Sequence, residues 1–283
     1  RFRCQGTEIG SQNAMSQNAM SGVVVRALES AEECHAVAEL YGEIWATPNG
    51  EQPFPGEVLV ALADSGNYAV GAFAGGGATG HGALVGGAAG WLGTDVSGAR
   101  FLHSHVAGVR PGRQGRGIGS ALKQHQRDWA RGAGLAEVRW TFDPLIRRNA
   151  WFNLTRLGAV GVRYVEDFYG VLDDAVNAGD QTDRLVVHWA VDGEPTAETG
   201  PPAGGAYPVL DTDRDGGPVL LDGEPPDGDL ALWLPEDIEA LRRTDADVAR
   251  RWRAAQRAVL VPAFARGYRA VSLSPDGWLR LAR

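Results

Sequence analysis

The chain has 283 residues, of which 44% are hydrophobic and 22% charged, and a formal net charge of -8 at pH 7. That is ordinary globular composition, long enough for one large domain or two smaller ones. The acidity argues against nucleic acid as a partner, because phosphate binding needs a basic face, and it favours cationic small molecules, which a negative surface attracts.

No apolar run approaches the roughly 20 residues of a membrane span, so no membrane partner is expected. Residues 1–20 are set aside as an expression-tag leader: "SQNAMSQNAM" is a duplicated pentapeptide without apolar periodicity, and it lacks the apolar centre of a signal peptide. Cys4 lies in that leader and Cys34 in a predicted helix, which leaves no native disulfide within one chain and fits a reducing cytoplasm.

"GVVVRAL", 22–28, is a β-branched run and predicts a first strand. Ser30 followed by Glu33 is a capping-box signature, and Cys34, Val37, Leu40, Tyr41, Ile44 and Trp45 then recur at helical spacing. "TPNGEQPFPG", 47–56, predicts a loop. Strands are expected at 67–73 and 82–92, joined by a glycine turn, and again at 101–109.

A helix follows, with Ile118, Ala121, Leu122, His125 and Trp129 on one stripe and Ser120, Lys123, Gln124, Arg127 and Arg131 on the other side. "EVRWTF", 137–142, predicts a strand, 148–158 a short helix ended by Gly158, and 159–170 and 184–191 two more strands. From 193 to 229 the composition becomes linker-like, rich in Pro, Gly and acids. Two helices follow, the second opened by Thr244 with Asp247 three residues later, and a hairpin around Pro275-Asp276-Gly277 closes the chain.

The stretch "VAGVRPGRQGRGIGSAL", 106–122, sets Gly115, Gly117 and Gly119 at alternate positions between a strand and a helix. A helix N-terminus offers unpaired N–H groups and a positive dipole end, and glycine lets an anion come close to them. A Walker A loop fails because Ile118 follows Gly117, and the dinucleotide fingerprint fails because Ser120 stands where glycine is needed. What remains is Gln114-x-x-Gly117-x-Gly119.

That signature resembles the GNAT superfamily of acyl-CoA-dependent N-acetyltransferases, in which Gln or Arg, two residues, Gly, one residue, and Gly or Ala join the fourth strand to a helix. The order of elements from 22 to about 191 is also similar. The resemblance implies that the amides of Gln114, Gly115, Arg116, Gly117, Ile118, Gly119 and Ser120 hold the CoA pyrophosphate. It further implies that Ala107, Gly108 and Val109 hydrogen-bond the pantetheine as an added strand would. The strands at 101–109 and 137–142 would splay to admit the thioester, and the helix holding Asn149 would flank the pantetheine.

Many GNAT enzymes take an acid for the departing thiolate from a tyrosine where this chain has Leu154. Either the thiolate leaves unassisted, or Tyr164 or Tyr169 reaches in; strand packing is the alternative for both. His103 and His105, two apart and so on one strand face, are the candidate bases, with core packing as the alternative. Glu166 and Asp167 are weaker candidates, and Arg147 and Arg148 either meet the CoA 3′-phosphate or face solvent. "DTDRDGGPVLLD", 211–222, imitates a calcium loop, but Asp222 replaces the bidentate glutamate and Pro218 interrupts it, so no metal is expected.

The expected fold is α/β: a GNAT-type mixed, mostly antiparallel central sheet flanked by helices, with a C-terminal α+β extension. Residues 21–192 form the acetyltransferase domain and 193–283 the acidic linker and extension. The expected activity is transfer of an acetyl group from acetyl-CoA to a primary amine of a small molecule, in the cytoplasm, with a homodimer left open. A protein lysine or N-terminal acceptor, and a non-catalytic acyl-CoA-binding regulatory module, remain the alternatives.

Overall fold

The computed structural model describes residues 22–46, 52–75, 82–170, 180–193, 205–223 and 227–283. The expected leader, residues 47–51 of the first loop and the glycine turn at 76–81 lie outside them. The chain divides into two compact units, 1–139 and 140–283, the division falling inside one strand. No helix among the described residues is long and apolar enough to cross a membrane.

The first unit holds β1 (Val23–Ala27), α1 (Ala31–Trp45), α2 (Gly56–Asp64), β2 (Tyr68–Ala74), β3 (Ala83–Thr94), β4 (Arg100–Val109), α3 (Ile118–Gly132) and the start of β5 (Glu137–Phe142). Strands β1 to β4 lie side by side in chain order, each antiparallel to the last, and β5 joins β4 in parallel at Leu102↔Val138 and His103↔Arg139. Helix α1 starts as the sequence predicts. The Ser30 hydroxyl accepts from the Glu33 amide at 3.2 Å, while the Glu33 carboxylate accepts from the Glu29 amide at 2.8 Å and pairs with Arg26.

Cys34, Val37, Leu40 and Tyr41 of α1 are buried, with Ile44 and Trp45 partly so. Gly108 on β4 lets that contact close in: a Cβ there would lie 2.7 Å from Ile44 Cδ1, and the isoleucine would have to shift. Helix α2, which has no place among the sequence-based expectations, buries Leu59 in the same cluster. The other difference lies in α3. Lys123 and Arg127, expected on its polar side, are buried at 5% and 8% exposure, and Lys123 Nζ donates to Ser104 Oγ and Gln126 Oε1, both at 3.0 Å. A long side chain can carry its amine inward when polar partners wait there, which apolar periodicity does not register.

The second unit holds the rest of β5, a short helix α4 (Arg147–Ala150) continuing as a π-helical stretch (Trp151–Arg156), β6 (Val160–Val165), β7 (Arg184–Ala190), β8 (Tyr207–Thr212), β9 (Pro218–Leu220), β10 (Leu230–Trp233), α5 (Ile238–Thr244), α6 (Ala246–Ala265), β11 (Arg269–Leu273) and β12 (Trp278–Ala282). The strand order is β7-β6-β11-β12-β10-β8-β9. The C-terminal hairpin therefore joins β6, at Ala270↔Gly161, where a Cβ on Gly161 would lie 2.8 Å from that of Ala270.

Two expectations change here. The 193–229 segment contains the strand pair β8 and β9, and within its turn Asp213 Oδ1 accepts from the amides of Asp215 (2.9 Å) and Gly217 (2.7 Å). Residues 194–204 and 224–226 of that segment are outside the described ones. Helix α6 is capped by Asp245, which accepts from the Val248 amide at 3.1 Å, while the Thr244 hydroxyl donates back to the Ala240 carbonyl. Asp is as good a cap as Thr, and it stands one residue nearer the apolar stripe.

The unit is built around buried charge. Asp143 accepts from Arg253 at 3.0 and 2.7 Å and from Arg242 at 2.6 Å, and Asp180 accepts from the same two arginines at 2.9 to 3.2 Å. All four side chains are at most 6% exposed. Burial alone would raise the Asp143 pKa, but the charge and hydrogen bonds of Arg253, with Arg242 behind them, hold it well below the ordinary carboxylate range. Replacing Asp143 by alanine is expected to cost about 3–5 kcal/mol in denaturant unfolding, the scale for removing one partner from a buried ion cluster. Because the folded-state pKa lies below the ordinary 3.8, the contribution of Asp143 is fully present above that value and is lost as pH falls through the folded pKa. The wild-type-minus-variant difference should therefore stay level between pH 7 and pH 5.

Candidate active site

The chain leaves β4 at Val109 and is pinned at once: the Arg110 amide donates to the Val85 carbonyl at 2.9 Å, and the Arg113 amide to the Arg110 carbonyl at 3.0 Å. Gln114 then folds its side chain back over the turn. Its Oε1 accepts from the Gly112 amide at 2.9 Å and its Nε2 faces the Val109 carbonyl at 3.5 Å. Gly115 and Gly117 have φ of +75° and +79°, a region closed to most side chains. Gly117 is the N-cap of α3 and supplies no side-chain cap, so the helical ladder first closes at the Ala121 amide on the Gly117 carbonyl.

Among the described residues, the amides of Gln114, Gly115 and Gly117 enter no hydrogen bond of the turn, and those of Ile118, Gly119 and Ser120 stand in the first turn of α3, ahead of its first closed ladder bond. Residues 111–117 are exposed. This is a row of N–H donors at the positive end of a 15-residue helix, with the exposed Arg113 and Arg116 beside it. Such a row suits a polyanion.

Upstream, β4 presents different chemistry on its two faces. Leu102 and Ser104 are buried on one, where Ser104 receives the Lys123 ammonium, while Val106, past a bulge, is buried in the cluster under α1 and α2. His103 is half-buried, and His105 and Ala107 are exposed. The β3–β4 register shifts between Ala89 and Gly90, so that Ala89 pairs Val106 and Gly90 pairs Ser104. The extra residue is His105, and this bulge brings both imidazoles against one indole. Trp91 stacks 4.8 Å from His103 and 4.7 Å from His105. Phe54 closes on His105 at 5.2 Å.

Packing against Trp91 and Phe54 strips water from both rings and lowers both histidines, His105 included although the residue as a whole is exposed. His103 falls to about 4, helped by the neighbouring His105 and Lys123, and His105 falls below the ordinary 6.5. Burial also pushes Lys123 down to about 7. The histidine pair is thus a neutral, proton-accepting group at pH 7. The sequence places His103 and His105 together correctly but does not single out Trp91 and Phe54, although the indole at the end of an alternating strand was the available sign.

In the second unit, Leu154 is buried at 1% exposure, as an apolar residue at that position must be. Tyr164 is buried and donates to the Asp183 carboxylate, which also pairs with Arg257 at 2.6 Å; burial and that carboxylate raise its pKa. Tyr169 is 39% exposed and shares a 3.2 Å hydrogen bond with the Thr141 hydroxyl. Glu166 pairs with Arg257 at 3.2 Å, and Asp167 accepts from the Thr182 amide and hydroxyl. Asn149 sits half-buried in α4. Arg147 donates to the Leu234 carbonyl and lies 4.8 Å over Trp233, and Arg148 pairs with Glu239, so both are engaged by the extension.

Residues 34–158 match the model of the acetyltransferase (GNAT) family. This segment is a GNAT acetyltransferase domain. Acetyl-CoA-dependent N-acetyl transfer is the chemistry of that family. No curated protein matches the chain.

Among solved structures, Arabidopsis thaliana Naa50 in complex with a bisubstrate analogue is similar at 18% identity, over 59% of this chain and 97% of that one, with a TM-score of 0.43. The ribosomal-protein-S18-alanine N-acetyltransferase from Escherichia coli is similar at 14% identity, over 62% and 97%, with a TM-score of 0.45. Chaetomium thermophilum Naa20 in complex with a bisubstrate analogue is similar at 20% identity, over 62% and 93%, with a TM-score of 0.46. Likenesses this distant carry no argument about the acceptor.

The packing of the GNAT domain's histidines has a direct readout. Proton NMR titration of the ring resonances is expected to give His103 an apparent pKa of about 4 and His105 one below 6.5. Values at or above 6.5 for both would mean that Trp91 and Phe54 do not enclose them.

Proposed function

We propose that the chain transfers the acetyl group of acetyl-CoA to the primary amine of a small molecule, with residues 21–192 as its catalytic domain. The observation that carries the reading is the exposed glycine turn and uncapped start of α3 between Gln114 and Ser120, whose amides suit the pyrophosphate of CoA in sign. Ala107, Gly108 and Val109 are proposed to offer backbone groups to the pantetheine amides. The small-molecule acceptor is supported by the net charge of -8, which draws organic cations rather than basic protein tails alone.

In the proposed step, the acceptor ammonium loses a proton to His105, directly or through one water. The amine nitrogen then bonds to the thioester carbonyl carbon, the carbon–sulfur bond breaks, and the thiolate takes a proton to leave as CoA. His105 is the better base of the pair: it is exposed, whereas His103 is half-buried and lowered to about 4 by burial and by its neighbours His105 and Lys123. Of the two tyrosines, Tyr164 is committed to Asp183, whereas Tyr169 is partly exposed and shares a hydrogen bond only with Thr141.

Gly119→Asp tests the cofactor assignment. Gly119 lies within α3 and has no left-handed φ, so the substitution adds charge at the amide row without the strain it would meet at Gly117. Calorimetry is expected to show acetyl-CoA binding weakened at least tenfold, about 1.4 kcal/mol. Unchanged affinity in a folded variant would remove the assignment.

His105→Gln tests the base. It is expected to lower kcat by about 10²–10⁴ while acetyl-CoA affinity holds, the scale for losing a general base. In the unaltered enzyme the acid limb should lie below pH 6.5, because a lowered histidine pKa keeps the ring neutral further into acid. A variant that loses stability but keeps its rate per folded molecule would make His105 a packing residue.

A further inference from the structure

We propose that Lys123 is a positioning residue for the proton-accepting pair, holding the strand segment that carries His103 and His105 from behind, through Ser104. The inference rests on the acetyl-transfer reading and gives that reading a residue it does not otherwise use. Lys123 stands in the second turn of α3 and is buried, as are the apolar Ile118, Leu122 and Ala130 of the same helix. An amine costs free energy to bury that a methionine of about the same length would not, so packing alone gives no reason for a lysine here. The reason lies at its tip, where Nζ donates to Ser104 Oγ and Gln126 Oε1 at 3.0 Å each, both residues buried in turn.

Ser104 is the residue between the two imidazoles and points to the other face of β4. There the two strands approach too closely for a side chain at position 90. Gly90 pairs Ser104, and a Cβ on it would lie 2.3 Å from the His103 carbonyl oxygen and 3.2 Å from Ser104 Cα. The register then slips at His105, and a bulge gives up regular ladder pairing just where the histidines must keep their spacing. Gly90 fixes this backbone from the neighbouring strand, and Lys123 fixes it from the helix. The imidazoles stand 5.9 Å apart on the other side.

The cation adds to the grip. Burial is the first cause of the lowered His103 pKa, and His105 and Lys123, the titratable groups acting on it, lower it further. Lys123 is itself lowered to about 7, so on acidification it charges well before His103 takes a proton at about 4. Its repulsion is then complete while the ring is still neutral. A methionine would fill the same space without that repulsion and without the bond to Ser104.

The test is proton NMR on the full chain, unaltered and as Lys123→Met and Ser104→Ala. Two readings are taken: the titration of the His103 ring, and the Overhauser contacts of both imidazoles with the Trp91 indole, which lie 4.8 and 4.7 Å from it. Lys123→Met is expected to raise the His103 pKa by about one unit, the low end for a nearby charge, and to weaken the contacts by at least half. Ser104→Ala keeps the amine and removes the link, so the contacts should weaken by as much while the titration moves less.

Contacts at full strength in folded Lys123→Met overturn the inference whether or not the titration moves, because the lysine would then be packing or a distant charge. Contacts at full strength in Ser104→Ala overturn it too, since Lys123 would not act through the serine. If Lys123→Met fails to fold, Ser104→Ala decides alone. Neither reading needs an acceptor amine, so the result stands apart from the fate of the acetyl-transfer reading. His105→Gln keeping its rate would remove the base, and these spectra would still decide what Lys123 holds.

Discussion

A helix that opens with glycine and no capping side chain leaves its first amides unpaid, and in this protein the whole proposed chemistry depends on that debt. Three features maintain it. Glycine at 115 and 117 takes the positive φ that the turn into α3 requires. Gln114 spends its side chain on the turn itself, accepting from Gly112, so it holds the loop's shape and leaves the amide row open. The strand before the turn is fixed to β3 through Arg110 and Val85. A polyanion arriving there meets donors already in place, and the ordering cost has been met in folding.

The strand leading into that turn has a second duty, and the bulge at His105 is how it performs both. Without the extra residue, alternation would continue unbroken from Leu102 to Val109. With it, His103 and His105 gather beside Trp91 while Val106 still reaches the core under α1. Lys123 and Ser104 brace the opposite face. An imidazole pair enclosed by an indole and a phenyl ring stays neutral, which suits it to receive a proton from a cation.

Much of this was legible in the residues. The glycine spacing after an apolar strand fixes the turn, Ser30 and Glu33 mark the start of α1, and Pro275-Asp276-Gly277 marks the last hairpin. What escaped was set by distant partners. Lys123 reads as a polar-face residue because nothing local announces Ser104 waiting across the sheet. Strands β8 and β9 read as linker because Asp213 and the glycines around it look like solvated loop, and they are, in the turn between two short strands. The four charges of Asp143, Asp180, Arg242 and Arg253 are scattered over more than a hundred positions, and only the fold brings them together.

That cluster has a consequence for how the second unit can change. Each arginine answers both carboxylates, so no single member can be neutralised without stranding a charge in the interior. Point substitutions along the way are all worse than either end state, an intact quartet or an apolar replacement of all four. The quartet is therefore inherited as a block, and any chain cut short before Arg242 leaves two aspartates with neither of their arginines to face.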